Sequence, residues 1–146
     1  MSFVRQAGAA IVLAMLTLWV QCVVMTALLH WGRDHLVRSM HRADPWHSAV
    51  LLVRCTCLII CLHILEVLLW AAFYRWLCFP SWEVSFYFST TSYSTVGYGD
   101  VLLPRMWRTL GPIESVTGVL MCGLSVSLLF AIVTRLVERE TQLSPK

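Results

Sequence analysis

The chain has 146 residues, of which 58% are hydrophobic and only 13% are charged. A soluble domain of this length could not bury so much apolar surface, so the composition excludes ordinary soluble enzymes and binding domains and indicates an integral membrane protein. The formal net charge at pH 7 is +3, and we expect no nucleic-acid partner.

The first predicted element is a membrane span over residues 7–29, an almost wholly apolar stretch without a charged side chain. It exceeds the roughly 20 residues that a helix needs to cross a bilayer. We expect this helix to be retained, because the apolar run is too long for a signal peptide and no small-x-small cleavage site closes it.

A loop with several arginines and histidines completes a first predicted unit, residues 1–47. Its histidines recur every five or six residues, as His30, His35, His41 and His47. Metal ligands on one helix face recur every three or four residues instead, so this spacing argues against a metal site. A metal- or haem-binding membrane protein stays open as an alternative, because Cys57, Cys61 and His63 follow closely.

The second predicted span covers residues 48–74 and is interrupted by Arg54, His63 and Glu66. His63 and Glu66 are three residues apart and therefore share one face of a helix. Ionisable groups inside a membrane are energetically expensive, so they suggest a site. The pair is either a structural strut that faces other helices or an element that responds to pH or controls activity. We expect similar work from Glu114, near the start of the third span.

A short helix is predicted between the second and third spans, over residues 84–93, which contain neither glycine nor proline. Pro80 and Ser81 precede it as start signals, and Glu83 complements the positive end of its dipole. Because it is too short to cross a bilayer, we expect a re-entrant helix whose negative C-terminal end points into the membrane interior.

The segment that follows carries the most specific motif in the chain. We call it the filter segment, and it consists of Thr95, Val96, Gly97, Tyr98, Gly99 and Asp100. Successive carbonyl oxygens point to one side only when the backbone alternates between right- and left-handed conformations, and the left-handed one is unfavourable for ordinary L-residues. Gly97 and Gly99 accept it because they have no Cβ atom. The motif therefore predicts a row of carbonyl oxygens.

The filter segment resembles the selectivity filter of the potassium channel superfamily, and its flanks resemble the outer and inner helices of the small members of that superfamily. The resemblance covers about residues 48–136, so the chain looks like a two-helix pore domain with an additional N-terminal helix. It implies that the carbonyls of residues 95–98 replace the water shell of K⁺, that Asp100 adds negative charge at the outer mouth, and that no other cofactor takes part. One loop cannot encircle an ion, so the resemblance also implies an all-α membrane homotetramer that conducts K⁺ passively and is not an enzyme.

Support of the filter segment is expected from the short helix before it, through Tyr87, Phe88, Thr91 and Ser92. Phe88 stands where many relatives have a tryptophan that donates a hydrogen bond to the filter tyrosine. Thr91 stands where one branch of the family has a carboxylate. These departures leave a weakly selective monovalent cation channel as the second candidate. A subunit that needs a different partner to conduct is the third.

The third predicted span covers residues 110–134 and contains Gly123 and Ser125, which resemble the Gly-x-Ser hinge of channel inner helices. Small residues also let membrane helices pack closely, so a hinge role and a packing role both stay open for Gly123. A hinge there implies a cavity face with Ser127 and Ala131, followed by a hydrophobic gate at Phe130 or Ile132.

The resemblance also implies an orientation, because potassium channels of the plasma membrane present the filter to the outside. Residues 75–109 and the N-terminus are then external, whereas the first loop and a tail of residues 137–146 are cytoplasmic. The first loop carries Arg33, Arg38 and Arg42, against a single arginine before the first span, which agrees with the positive-inside rule. The N-terminal helix is expected to pack outside the outer helix, either of its own chain or of a neighbouring one, and membrane lipid is an expected partner of the protein.

Overall fold

The computed structural model describes the backbone of residues 3–38 and 45–143, and the side chains of residues 4–32, 46 and 48–138. This part of the chain is all-α. Its four helices are α1 (Phe3–Arg38), α2 (Pro45–Leu77), α3 (Trp82–Tyr93) and α4 (Leu110–Leu143). Three of them contain apolar stretches long enough to cross a membrane, namely Val4–Gly32, Ser48–Leu77 and Leu110–Glu138. The chain is therefore a multi-pass membrane protein.

The three predicted membrane spans are confirmed, but the helices are longer than the spans. α1 continues to Arg38 and α4 to Leu143, beyond the predicted ends at residues 29 and 134. The prediction ended each span where polar side chains begin. Such side chains lie outside the apolar core of a bilayer but do not end a helix, and no proline interrupts either extension. Residues 39–44 of the predicted basic loop and 144–146 of the predicted tail lie outside the described residues.

The short helix α3 begins and ends where local chemistry dictates. Ser81 has an extended backbone, with φ −131° and ψ 153°, and its hydroxyl oxygen accepts a hydrogen bond from the Val84 amide at 3.3 Å. This is the geometry of an N-cap, which satisfies one of the free amides of the first turn. Glu83 lies in that turn and complements the dipole. The predicted short helix is confirmed, two residues longer at its start.

A core of aromatic and aliphatic side chains joins all four helices on the side of the bundle near the filter segment. Its buried members are Ala10, Leu13, Trp70, Tyr74, Phe88, Leu103, Trp107 and Leu110. The Tyr74 and Phe88 rings meet edge to face with their centroids 5.1 Å apart. Such a pair contributes about 0.5–1.5 kcal/mol beyond the burial of its area. This contact holds α3 against α2.

α1 lies against the outer helix α2 of its own chain, which is one of the two predicted alternatives, but it also lies against α4. Buried polar side chains along α1 find their partners on both helices. The Trp70 indole on α2 donates to the Thr17 hydroxyl at 3.0 Å, and the Gln21 amide donates to the Met121 carbonyl on α4 at 3.1 Å. Farther along, Leu28 shares a buried cluster with Leu128.

Candidate functional site

The filter segment is tied to the last turn of α3 by backbone hydrogen bonds. The Thr95 amide donates to the Ser92 carbonyl, and the Gly97 amide donates to the Thr91 carbonyl, each at 3.0 Å. These carbonyls belong to the helix end, where four acceptors have no partner within the helix. The first half of the filter segment therefore starts from a fixed platform.

The backbone of the filter segment alternates in hand. Thr95, Gly97 and Gly99 have φ values of 63°, 52° and 77°, whereas Val96 and Tyr98 between them are not in the positive region. The positive φ of the two glycines was expected, but that of Thr95 was not. An L-residue in this conformation is destabilised by roughly 1–2 kcal/mol. The alternation is the one that turns successive carbonyls to the same side.

The outer part of the filter segment has little cover within one chain. The side chains of Val96 and Tyr98 are 53% and 72% exposed. A Cβ atom built on Gly97 or Gly99 would meet nothing within 4 Å. The filter segment is thus open on the sides where a membrane protein would need another protein surface, since exposed backbone in a bilayer is otherwise excluded.

One predicted support, Tyr87, reaches the filter segment through its side chain. The Tyr87 hydroxyl donates to Asp100 Oδ2 at 2.8 Å, while Asp100 Oδ1 accepts from the Val101 amide at 3.0 Å. The hydrogen bond to the Asp100 carboxylate raises the pKa of the Tyr87 phenol. The phenol therefore keeps its proton at neutral pH, and the bond that joins α3 to the far end of the filter segment persists.

The other three predicted supports act through α3, and among them Thr91 and Ser92 bind the filter segment with their backbone carbonyls. Phe88 is buried on the core side of the helix, against Tyr74 and Phe79. The Thr91 hydroxyl donates to the Phe88 carbonyl at 3.0 Å, within the same helix. The Ser92 carbonyl accepts from the Ser115 hydroxyl of α4 at 2.6 Å. These residues orient the helix that carries the filter segment.

Tyr93, the last residue of α3, packs against α4 at a glycine that sequence reasoning left without a role. A Cβ atom on Gly118 would lie 2.1 Å from the Tyr93 carbonyl oxygen, a distance that no side chain tolerates. Gly118 is therefore a position where α4 lies in close contact with the backbone at the end of α3. The signal was present in the sequence as a glycine inside a membrane helix, but nothing local distinguished it from Gly123.

The predicted ionisable pair on α2 faces both α3 and α4. The Tyr93 hydroxyl donates to Glu66 Oε2, and His63 Nδ1 lies 3.1 Å from that oxygen and 2.9 Å from the Tyr93 hydroxyl oxygen. On its other side, His63 Nε2 lies 3.1 Å from the Ser125 hydroxyl of α4. The Glu66 side chain is fully buried. The pair thus connects the outer helix, the end of α3 and the inner helix.

Glu114 forms a second buried connection between the same three helices. Its Oε2 accepts from the Tyr74 hydroxyl at 2.8 Å, and its Oε1 accepts from the Ser89 hydroxyl at 2.5 Å. The Ser89 hydroxyl also lies 2.9 Å from the Val67 carbonyl. Glu114 was expected to do the same kind of work as the His63–Glu66 pair, and Tyr74 and Ser89 are partners that the sequence did not indicate.

Replacement of Glu114 by leucine is expected to lower the free energy of unfolding by about 1–3 kcal/mol, because the buried Tyr74 hydroxyl loses its acceptor. Ser89 keeps the Val67 carbonyl and contributes less. Thermal or denaturant unfolding of the purified protein measures the loss. In the double variant Glu114→Leu/Tyr74→Phe the stranded hydroxyl is gone, so more than half of the lost stability should return. Equal stability of the single and double variants would assign the loss to packing instead.

The five inner-helix candidates divide between two faces of α4. Gly123, Ser127, Phe130 and Ala131 lie on its exposed face, with Phe130 72% exposed. Ile132 is buried, in a cluster with Leu28 and Leu51. A Cβ atom on Gly123 would meet nothing within 4 Å, so the packing role considered for this residue has no counterpart within the described part of the chain.

A metal centre, the alternative that the sequence left open, needs several ligand side chains close together. Among the described side chains, no three or more histidine, cysteine, aspartate or glutamate residues come together as a metal site would need. The side chains of His35, His41 and His47 lie outside the described set.

Comparison with known proteins gives a class to this arrangement. The sequence model of a family described as ion channels matches residues 62–135, which is 74 of 146 residues and just over half of the chain. The chain belongs to this ion channel family. The match runs from α2 through α3 and the filter segment into α4, so these elements form the channel's pore domain, and the protein is not an enzyme. No curated protein and no solved structure matches the chain.

Proposed function

We propose that the protein is a potassium-selective channel, in which four copies of the chain surround one pore and K⁺ passes down its electrochemical gradient. The observation that carries this proposal is the alternating hand of the filter segment, with positive φ at Thr95, Gly97 and Gly99. A backbone of this kind offers stacked rings of carbonyl oxygens, which replace the water around a K⁺ ion. The Thr95 hydroxyl closes the row at its inner end.

The fourfold assembly is supported by the surface of the filter segment that stays exposed in one chain. Val96 and Tyr98 are more than half exposed, and the two filter glycines have open space around them. One loop presents ligands from one side only, so an ion bound by a single chain would keep much of its water. Four identical loops around an axis provide both the missing ligands and the missing protein surface.

The electrostatics of α3 favour a cation at the start of the filter segment. Glu83 lies at the N-terminus of α3, and the partial negative charge of the helix dipole is at the other end, next to Thr95. Asp100 adds a carboxylate beyond the far end of the row. A cation therefore meets negative potential on both sides of the carbonyl rings.

The reversal potential of the reconstituted protein tests this proposal. With K⁺ and Na⁺ gradients imposed separately across liposomes or planar bilayers, the reversal potential should follow the K⁺ gradient and ignore the Na⁺ gradient. Protein-free membranes are the control. A reversal potential that follows both gradients equally would support the weakly selective cation channel instead, for which Phe88 argues because it carries no hydrogen-bond donor. No cation current under either gradient would contradict both.

We infer that the chain is oriented with the N-terminus and the filter segment outside the plasma membrane and with the first loop and the C-terminal end of α4 inside. The pore domain is assigned to residues 48–136, which contain the filter segment and both helices that frame it. The arginines of residues 33–42 support this orientation through the positive-inside rule.

A hydrophobic gate is proposed at Phe130, beyond the hinge candidate Gly123. Phe130 is on the exposed face of α4, whereas the other gate candidate, Ile132, is buried against α1 and α2. In a background with the six native cysteines replaced by alanine, Phe130→Cys should react with an internal thiol reagent faster in open than in closed channels. Ile132→Cys is the matched control and should react in neither state. State-independent modification of Phe130→Cys would remove the gate from this position.

A further inference from the structure

A chain of buried hydrogen bonds begins at a single amide in the N-terminal helix. Gln21 lies within the first membrane span and its side chain is fully buried. Its Nε2 donates to the Met121 carbonyl at 3.1 Å and to the Ser125 hydroxyl oxygen at 3.0 Å. Its Oε1 has no hydrogen-bond partner among the residues that the structure describes. Both donors of this amide are therefore used on α4.

The orientation of the Gln21 amide is determined by what it faces. A backbone carbonyl only accepts, so an exchange of the amide oxygen and nitrogen would bring two acceptors together at Met121. The nitrogen must face that carbonyl. Since the second hydrogen of the same nitrogen points to Ser125, the Ser125 oxygen accepts and keeps its own hydrogen for another partner.

The hydrogen of the Ser125 hydroxyl is directed to His63. Other hydroxyls on α4, such as those of Thr117 and Thr134, donate to the carbonyl four residues earlier in the helix. For Ser125 that carbonyl belongs to Met121, which receives the Gln21 amide instead. The remaining partner is His63 Nε2 at 3.1 Å, which must accept and so carries no proton.

A neutral histidine with a bare Nε2 carries its proton on Nδ1. That atom faces two oxygens, those of the Tyr93 hydroxyl at 2.9 Å and Glu66 Oε2 at 3.1 Å. The Tyr93 hydroxyl in turn donates to Glu66 Oε2. All the donors thus point the same way, from α1 through α4 and α2 to the end of α3.

We propose that Gln21 in α1 selects the Nδ1-protonated tautomer of His63 and thereby orients Tyr93, so that the N-terminal helix is a positioning element of the pore. Tyr93 is the last residue of α3, and its carbonyl lies in the close contact with Gly118. The filter segment begins two residues later. A helix that has no place in a two-helix pore domain thus acts on the platform of the filter segment through three side chains.

The tautomer of His63 does not depend on ion conduction, and it can be measured in a protein that conducts no ions. Nitrogen NMR of the full-length protein in lipid bilayers, with ¹⁵N-labelled histidine, distinguishes protonated from bare ring nitrogens. The His63 signals are assigned by their loss in His63→Gln. We expect His63 to show a protonated Nδ1 and a bare Nε2. A protonated Nε2 in the unmodified protein would overturn the proposal.

The variant Gln21→Glu should reverse the direction of the hydrogen bond between Ser125 and His63. The new carboxyl group offers an acceptor to Ser125, so the Ser125 hydrogen turns towards α1 and the oxygen then accepts from His63. The signal of Nε2 should change from bare to protonated. Gln6→Glu is the matched control, since it makes the same chemical change in α1 where the amide oxygen accepts from Thr109, and His63 should be unaffected.

Gln21→Met guards against a variant that fails to fold, because it keeps the length of the side chain and introduces no charge. Without the amide, the Ser125 hydroxyl is free to donate to the Met121 carbonyl, and part of the His63 population should then carry a proton on Nε2. An unchanged, pure Nδ1-protonated signal in both Gln21 variants would show that α1 does not select the tautomer.

The positioning role rests on the proposed function and is read from single channels. Gln21→Glu should change the time spent in the conducting state by at least threefold, while the reversal potential between K⁺ and Na⁺ stays the same. Gln6→Glu should change neither. If the tautomer switches while the open times stay the same, the chain of hydrogen bonds is supported but its effect on the pore is refuted. An unmodified protein that carries no K⁺ current would refute the positioning role and the proposed function, but not the tautomer.

Discussion

Replacement of Gly97 by alanine is expected to abolish K⁺-selective current. Gly97 has φ 52°, and an L-residue held in that region is destabilised by about 1–2 kcal/mol. In one chain, this lowers the equilibrium constant for the filter conformation by a factor of about 5–30. All four loops must hold the conformation together, so the equilibrium constant for a complete filter falls by about 10³–10⁶ if the four chains respond independently.

The measurement is K⁺ flux into liposomes, with the amount of assembled protein held equal. Gly8→Ala is the matched control, since Gly8 lies in α1, has no positive φ, and would accept a Cβ atom with nothing within 4 Å. Its flux should equal that of the unmodified protein. Retention of more than a tenth of the flux in Gly97→Ala would mean that the left-handed conformation is not required for conduction.

Replacement of Gly118 by alanine is expected to prevent α3 and α4 from packing as they do. The added Cβ atom would lie 2.1 Å from the Tyr93 carbonyl oxygen and 3.0 Å from its carbon. Overpacking of a core by one carbon typically costs about 1–3 kcal/mol, and here the obstructing atoms are backbone that cannot turn away. We expect a loss of at least 3 kcal/mol of stability, on the order of the upper end of that range, together with a loss of flux.

Gly123→Ala separates this clash from any general effect of alanine in α4. Gly123 lies five residues farther along the same helix, and its Cβ atom would meet nothing within 4 Å. Because alanine favours a helix over glycine by up to about 1 kcal/mol, the stability of Gly123→Ala should be equal or higher. Thermal unfolding of the two variants in the same detergent compares them. Similar melting temperatures would show that the close contact at Gly118 relaxes without penalty.

The elements that sequence analysis located correctly are those governed by neighbours in the chain. The start of α3 depends on Ser81 and Glu83. The alternation between right- and left-handed backbone conformations in the filter segment depends largely on the positions of its glycines. Apolar length alone sufficed for the three membrane spans. Each of these rules acts over a few residues or counts them, so a single sequence carries enough information.

The elements it missed depend on contacts between distant parts of the chain. Gln21 and Ser125 are 104 residues apart, and their pairing decides that α1 packs on α4. The sequence alone does not distinguish Gly118 from Gly123, whereas in the structure the close contact with Tyr93 does. The available clue was the presence of an amide in an otherwise apolar span, since such a group must find partners inside the membrane. The clue does not say which helix supplies them.

The exposure of Tyr98 in a single chain, at 72%, bears on how such a channel is made in the cell. In the proposed assembly, a newly synthesised subunit contributes only part of the pore, and selectivity arises only when four subunits have assembled. One defective subunit then impairs a tetramer whose other three subunits are intact. In a cell that produces both forms, inheritance of the defect would be dominant.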